Sequence, residues 1–354
     1  MNQFKPPNYI PARFAIAQLL SDGRLSGHLH TLLPANGSSA AASCVADASR
    51  HLVPLPDGDA LVLFENKPRA PGDRADRVGD AAVLLIHGLC GCHAAGYMMR
   101  FAAGLLRHGI TTYRLDMRGC GAAQTTCQNI THAGRSDDVL AAMSFIATRN
   151  PPTTSLGMVG VSLGGNQVLR ACGRVASGLN PEPIWWPRVD GVLAIAPPID
   201  LKACSDAMQS RWLRFYNWYF IRQLLRRVPP AVANNKTFQS GLSRGIPKTL
   251  RTFDRFITAP LAGYSDERAY YADASAMHHL SAIDRPTMIV TADDDPLIPT
   301  SMFESRFEQF SPSTTWLRQP RGGHNGFLQA GRRAWTDDLV TAFFVQRFSH
   351  ASVE

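Results

Sequence analysis

Three things are scarce in this chain. Long hydrophobic runs are missing: the longest, Ala81 to Ile86, has the length of a strand, far below the roughly 18 to 20 residues of a membrane-crossing helix. Paired CxxC spacing is missing as well. The seven cysteines, Cys44, Cys90, Cys92, Cys120, Cys127, Cys172 and Cys204, are odd in number, which argues against a disulfide framework and a zinc cage and for a reducing compartment. The opening residues MNQFKPPNYIPARF show neither the apolar stretch nor the small-residue cleavage site of a secretory signal, so a cytoplasmic location is expected. Lysine is the third scarcity, with only Lys5, Lys67, Lys202, Lys236 and Lys248 among 36 basic residues.

What is present is enough for a large core. The chain has 354 residues, 45% of them apolar and only 18% charged, with 17 Phe, 8 Tyr and 6 Trp, a composition that excludes wholesale disorder. The formal charge is +8, and its distribution says more than its size. From Ala207 to Phe253 there is no Asp or Glu, while Arg211, Arg214, Arg222, Arg226, Arg227, Lys236, Arg244, Lys248 and Arg251 all fall there. Outside that segment the charges nearly cancel.

Up to about residue 80 the chain reads as a loop-rich N-terminal extension packing on the core. It holds the Ser/Ala tract Ser38–Ser43, the turn Pro56-Asp57-Gly58-Asp59, a short strand at Leu61–Phe64 and the charged stretch Arg69–Asp80. From Ala81 on, short apolar runs alternate with helix-length segments. The runs are Val83–Ile86, Thr111–Leu115, Met158–Val161, Gly191–Ala196, Thr287–Thr291 and Thr315–Leu317. Helices are expected near Tyr97–Arg107 and Asp137–Thr148, after Ser162, and near Arg332–Phe348. Continuous apolar strands separated by helices predict an α/β fold with a mostly parallel sheet covered on both faces, over residues 81–349. The interval of about 203–280 is too long for one crossover and is expected to be an inserted helical cap.

Gly160-Val161-Ser162-Leu163-Gly164 matches G-x-S-x-G between a strand and a helix, the setting in which this short motif carries meaning. A sharp strand-to-helix turn exposes the hydroxyl at the sheet edge and needs small neighbours, which Gly160, Gly164 and Gly165 supply. A serine nucleophile needs a base, and the base an orienting acid. His324, in Gly322-Gly323-His324-Asn325-Gly326 after the last strand, is the expected base. The acid lies in Asp293-Asp294-Asp295, after the strand Thr287–Thr291. Two backbone N–H groups should face a developing oxyanion, Leu163 after the nucleophile and Leu89 in the loop His87-Gly88-Leu89-Cys90-Gly91. His87 precedes Ser162 and reads as a loop-ordering residue. Cys90 and Cys92 read as packing, His132-x4-Asp137 as a structural coincidence, and Asp116 to Gly121 as a salt-bridged turn.

These residues resemble the YheT-like branch of the α/β-hydrolase superfamily along nearly the whole chain. The resemblance rests on His28-Leu29-His30-Thr31 (His30 replacing the Gln of that branch), Asp57-Gly58-Asp59, Arg118-Gly119-Cys120, His132-Ala133-Gly134 and Ser162-Leu163-Gly164-Gly165-Asn166. It continues through Ala196-Pro197-Pro198-Ile199-Asp200, Ser275-Ala276-Met277, Asp294-Asp295-Pro296 and Gly322 to Phe327. Related hydrolases place the acid four residues before a proline, which selects Asp295 through Pro299 and keeps Asp294 as the alternative. The resemblance implies a carboxylic ester hydrolase with Ser162, Asp295 and His324 as its triad, needing neither metal nor cofactor. An alcohol acyltransferase on the same acyl-enzyme, or a non-catalytic lipid-binding protein on this fold, are the alternatives.

The segment Arg211 to Arg222 is aromatic over much of a helical circumference. Trp212, Phe215, Tyr216 and Tyr219 fall on one side, and Leu213, Phe220, Ile221 and Leu224 on another. Such a helix is expected to be buried over the site. The alternative is that its cations face an anionic lipid surface, so that the protein contacts membranes peripherally. Either way a greasy cap suggests an acyl ester as substrate. No recognition motif supports nucleic acid as a partner.

Overall fold

The computed structural model describes residues 4–13, 23–68 and 78–351; of the charged stretch read at Arg69–Asp80, residues 69–77 lie outside the described residues. The eight strands are β1 (Ser49–Pro54), β2 (Ala60–Asn66), β3 (Ala81–Ile86), β4 (Thr111–Asp116), β5 (Ser155–Val161), β6 (Val189–Ile195), β7 (Thr287–Ala292) and β8 (Thr314–Gln319). They form one sheet in the order β1-β2-β4-β3-β5-β6-β7-β8. β1 and β2 run antiparallel to each other, and β2 to β4; every other pairing is parallel.

The central strands read as unbroken apolar runs because both sheet faces are covered. Along β3, Ala82, Leu84 and Ile86 join one core, and Ala81, Val83 and Leu85 the other, the two-residue alternation of a strand carrying apolar side chains on both sides. Phe101 on the helix Gly96–Arg107 and Phe343, Phe344 and Phe348 on the helix Trp335–Ala351 fill the second core. The helices Ser136–Arg149 and Leu163–Ala176 supply Val139, Met143, Val168 and Leu169 to the first.

Two things differ from expectation. The N-terminal portion is richer in structure than its loop-like reading: helices span Gly23–Leu32 and Ser38–Cys44, and β1 pairs with β2, which contains the strand expected at Leu61–Phe64, as a full member of the sheet. β1 lies on the sheet edge with only Val53 buried, so it carries almost no apolar pattern. Second, the helix Arg214–Arg226 is not buried over its apolar circumference. Tyr216, Asn217 and Ile221 face inward, while Phe215, Trp218 and Tyr219, with Trp212 just before, are exposed. Between β6 and β7 the described chain holds only helices and turns, among them Leu201–Ala207, Arg214–Arg226, Lys236–Ser243 and Glu267–Ala274. Phe220 and Leu224 from this interval line a cavity with Ser162, so it lies as a cap over that edge of the sheet.

Candidate active site

Ser162 sits between the end of β5 and the helix Leu163–Ala176, with φ 52° and ψ −118°. A non-glycine residue is strained there, and the surroundings must hold it. They do so from both sides: the Ser162 N–H donates to the Ile195 carbonyl at 2.8 Å, and its carbonyl accepts from Asn166 N–H at 3.1 Å. The turn is too tight for side chains at its flanks. A Cβ on Gly160 would stand 2.4 Å from the Gly164 carbonyl oxygen, and one on Gly164 2.7 Å from the carbonyls of Ile86 and His87.

His324 Nε2 lies 3.0 Å from Ser162 Oγ, and its Nδ1 lies 2.9 Å from Asp295 Oδ2. A carboxylate only accepts, so Nδ1 carries the proton and the serine hydroxyl donates to Nε2. Asp295 is held by its other oxygen, which accepts from the N–H groups of Leu297 and Ile298 at 2.8 and 3.1 Å. The three adjacent carboxylates thus have separate partners. Asp293 pairs with Arg318. Asp294 accepts from Gly322 and Gly323 N–H at 2.7 and 2.8 Å, tying down the loop that carries His324; its pKa is raised, chiefly by burial.

The N–H groups of Leu89 and Leu163 make no hydrogen bond among the described residues, and both residues line the cavity at Ser162. The Leu89 loop is braced on two sides. His87 is fully buried; Met117 N–H donates to its Nε2 at 3.4 Å, so its Nδ1–H donates to the Gly88 carbonyl at 2.8 Å. Burial lowers its pKa, which keeps the ring neutral and suits the loop-ordering role. Gly88 N–H donates to the Tyr97 hydroxyl at 3.0 Å.

Other candidates fall away from this geometry. Shielding from solvent pushes the Cys90 thiol up to about 12, far from the range of a reactive thiolate. Asp137 accepts from Asn180 at 2.8 Å while His132 accepts from Gly134 N–H at 3.2 Å, so the two halves of His132-x4-Asp137 serve separate turns. Cys92, His93 and Asp116 lie close enough to offer ligand atoms to one ion. Asp116, however, already accepts from His93 N–H, the His93 ring and Ala122 N–H at 2.6 to 2.7 Å, so the group reads as a turn lock.

Sequence reasoning missed the brace behind His324. Thr31, in the helix Gly23–Leu32, accepts the His324 N–H at 2.8 Å and donates to the Gly27 carbonyl at 2.7 Å. His30 Nδ1 accepts Leu328 N–H at 3.0 Å, and His28 reaches the Tyr216 hydroxyl of the cap at 2.9 Å. The His-Leu-His-Thr element therefore ties together the His324 loop and the cap, and its recurrence in the resemblance was the one available signal.

Two cavities meet at Ser162. One, of about 190 Å³, runs under the cap and is walled by Phe220, Leu224, Val228, Phe238, Leu250 and Ile257. The other, of about 420 Å³, is bounded by Thr31, Gly88, Tyr97, Phe215, Tyr216 and Tyr219. Leu89, Ser162, Leu297 and His324 border both. The first is apolar enough for a hydrocarbon chain, and the second is walled partly by tyrosines.

Residues 81–330 match the α/β hydrolase fold family, and the chain belongs to that family. Within it, the chain is similar to "Putative esterase YheT" of Escherichia coli strain K12, 29% identical over 283 residues and covering 77% of each chain, in agreement with the YheT-like branch indicated by the motifs. It is 25% identical over 288 residues to the medium-chain fatty acid ethyl ester synthase/esterase 2 of Saccharomyces cerevisiae, covering 75% of this chain but only 62% of the yeast protein. Among solved structures, the Pyrococcus furiosus esterase Pf2001 superposes with a TM-score of 0.55 over 97% of this chain and all of that one. At 13% identity the likeness is one of fold. Among the described residues no helix is long and apolar enough to cross a membrane.

Proposed function

We propose that this protein is a serine hydrolase that cleaves carboxylic esters of acyl-chain acids through a covalent acyl-enzyme. The observation that carries the reading is the chain of contacts from Ser162 Oγ to His324 Nε2 at 3.0 Å and from His324 Nδ1 to Asp295 at 2.9 Å, set beside an apolar cavity. The names of the bacterial and yeast relatives support an esterase.

In the first step the Ser162 oxygen bonds to the acyl carbon as His324 Nε2 takes the hydroxyl proton. The carbonyl oxygen becomes an oxyanion held by the N–H of Leu89 in its loop and that of Leu163 at a helix N-terminus. Asp295 keeps the imidazole in its working tautomer and stabilises the imidazolium. Collapse breaks the bond to the alcohol oxygen, which leaves with the proton from His324. Water then repeats the sequence on the acyl-enzyme and regenerates Ser162. The acyl chain occupies the apolar cavity and the alcohol the wider one. An alcohol entering in place of water yields acyl transfer, a partition the yeast relative's name also joins to hydrolysis.

A fluorophosphonate probe tests the reading directly. The folded wild-type chain is expected to be labelled at Ser162, and Ser162→Ala to escape labelling and lose about 10⁶-fold in kcat on p-nitrophenyl esters. A folded wild-type protein that takes no label and cleaves no ester of any chain length overturns it.

A further inference from the structure

The cap carries a cationic aromatic surface, most of which the chemistry at Ser162 does not use. On the helix Arg214–Arg226 and the residues just before it, Arg211, Trp212, Arg214, Phe215, Trp218, Tyr219, Arg222 and Arg226 are all exposed. Their spacing of three and four residues gathers them on one helical face. Trp212 is 63% exposed and Trp218 54%, and Ile246 on the neighbouring turn is 72% exposed. Single exposed apolar residues are ordinary, but a contiguous group rimmed with one sign of charge marks an interaction site. Between this helix and the turn at Ile246–Thr249 runs a groove of about 860 Å³. Arg214, Arg222, Arg226 and Lys248 line it around Trp218 and Ile246, with no carboxylate in its wall. None of these four cations is ion-paired among the described residues, and the chain supplies no acid between Ala207 and Phe253 to pair them. Among the described residues their charge is left facing solvent, where an anionic partner can meet it.

We infer that this face docks on an anionic phospholipid membrane, with lipid phosphates in the arginine-lined groove and Trp212, Trp218 and Ile246 in the headgroup-to-acyl boundary. An amphipathic surface helix with arginines beside tryptophans has the composition of an interfacial element that lies in the membrane plane. Nucleic acid is the rival for a basic aromatic surface, and two observations favour lipid. The Arg211 guanidinium lies over the Trp212 ring at 4.8 Å and that of Arg222 over Trp218 at 5.5 Å, while Phe215 packs against Trp218 at 5.8 Å. One face of each indole therefore already carries a guanidinium where a base would otherwise stack. Ile246, the most exposed apolar residue of the patch, has no part in base stacking and suits an acyl environment.

The position of the face also fits delivery of substrate. Phe215 lines both the cationic groove and the wider cavity at Ser162, and Tyr219 lines that cavity too. A membrane against the helix would stand at the mouth of the site, and an ester lipid could enter without crossing water. Docking stands independently of the hydrolase reading; only this delivery step rests on it.

Co-sedimentation of the full chain with vesicles tests the inference. At low salt the protein is expected to bind vesicles of two parts phosphatidylcholine to one part phosphatidylglycerol, with a blue shift in tryptophan emission, and to bind pure phosphatidylcholine much less. The triple variant Arg214→Glu, Arg222→Glu, Arg226→Glu should lose about 100-fold or more in affinity. The double variant Trp218→Ala, Ile246→Ser should lose about tenfold. All five positions are on the surface, so circular dichroism and fluorophosphonate labelling of Ser162 should match wild type. No binding to the anionic vesicles, or equal binding by the triple variant, overturns the inference, as does displacement from vesicles by an oligonucleotide that binds more tightly. Ser162→Ala should bind vesicles normally, so a failure of docking and a failure of the esterase reading are seen separately.

Discussion

Around the sheet, several arginines are matched to carboxylates inside the molecule; along the acid-free segment of the cap most are not, although Arg255 beyond it pairs with Glu267. Arg118, almost fully buried, reaches Asp138 with two nitrogens at 2.7 and 2.9 Å, and Asp59 and Asp57 with a third at 2.7 and 2.5 Å. Arg100 pairs with Asp337 at 2.8 Å and Arg170 with Asp273 at 3.0 Å. In the cap, Arg251 meets Asp206 at one end of the acid-free segment, while Arg211, Arg214, Arg222, Arg226, Lys236, Arg244 and Lys248 have no ion-pair partner among the described residues. The apolar residues divide less sharply, since the first core of the body also takes in Leu213, Tyr216, Tyr270 and Tyr271 of the cap. The two cores of the body enclose whole strands, whereas the cap gathers Ile221, Val232, Phe238, Phe253 and Ile257 into a small cluster and leaves a row of aromatics outside. Paired charges of the body fix its geometry, and the unpaired ones of the acid-free segment are available to something else. Substitutions should therefore act through structure in the body and through encounter in the cap.

The largest effect should come where the geometry of the body reaches the chemistry. Asp295→Asn is expected to lower kcat by about 10⁴-fold, because an amide that donates to Nδ1 holds the imidazole in the wrong tautomer. Asp294→Asn should cost only about tenfold, since its amide oxygen still accepts the Gly322 and Gly323 N–H groups. Steady-state kinetics on one soluble ester compares the two, and equal losses would mean that the acid has been misassigned.

That contrast also separates what the sequence revealed from what it concealed. Ser162 and His324 stood in short local patterns, and the parallel sheet followed from apolar runs at regular intervals. The acid had three neighbouring candidates, among which only the resemblance, through the spacing to Pro299, selected Asp295; the separate hydrogen bonds of Asp293, Asp294 and Asp295 give the physical distinction. Thr31 was hidden for another reason: its bond to His324 spans 293 residues of chain, a closeness that no local pattern encodes. β1 lacked a signal because an edge strand buries little. The tract Ser38–Cys44 packs as a helix of small residues with no apolar period to announce it. The cap helix misled in the opposite direction. An apolar circumference was expected to mean burial, yet periodicity cannot say whether an apolar face meets a core or lies at the surface.

Arg118→Met should bring the next largest change, this time in stability. It leaves Asp57, Asp59 and Asp138 clustered without their cation, which is expected to cost about 3 to 5 kcal/mol in urea unfolding at pH 7. The deficit should shrink as pH falls and the unpaired carboxylates take up protons. The same substitution at Arg222 in the cap should change stability by less than about 0.5 kcal/mol. A large loss at Arg222 would erase the distinction between the two regions.

The smallest of these changes tests the cap at a carboxyl withdrawn from water. Asp254 opens a π-helical turn, Asp254–Thr258, accepts the Tyr271 hydroxyl at 2.8 Å, and has no ion-pair partner among the described residues. Removal from solvent raises its pKa from the ordinary value to about 6, so the folded state holds this proton more tightly than the unfolded one. Its contribution to stability is therefore full below about pH 4 and is lost as pH rises through about 6. Asp254→Asn removes the ionisation and keeps an acceptor for Tyr271, which should stabilise the protein at pH 7 by about 2 kcal/mol. That is less than the whole shift would give, because the carboxyl also borders the cavity. Asp294 and Asp337 are raised in the same direction, so the wild-type pH curve alone cannot isolate Asp254. The difference between variant and wild type in urea midpoint, near zero at pH 4 and growing to pH 7, isolates it. A difference that is constant with pH would mean that this carboxyl is not kept protonated by the cap at all.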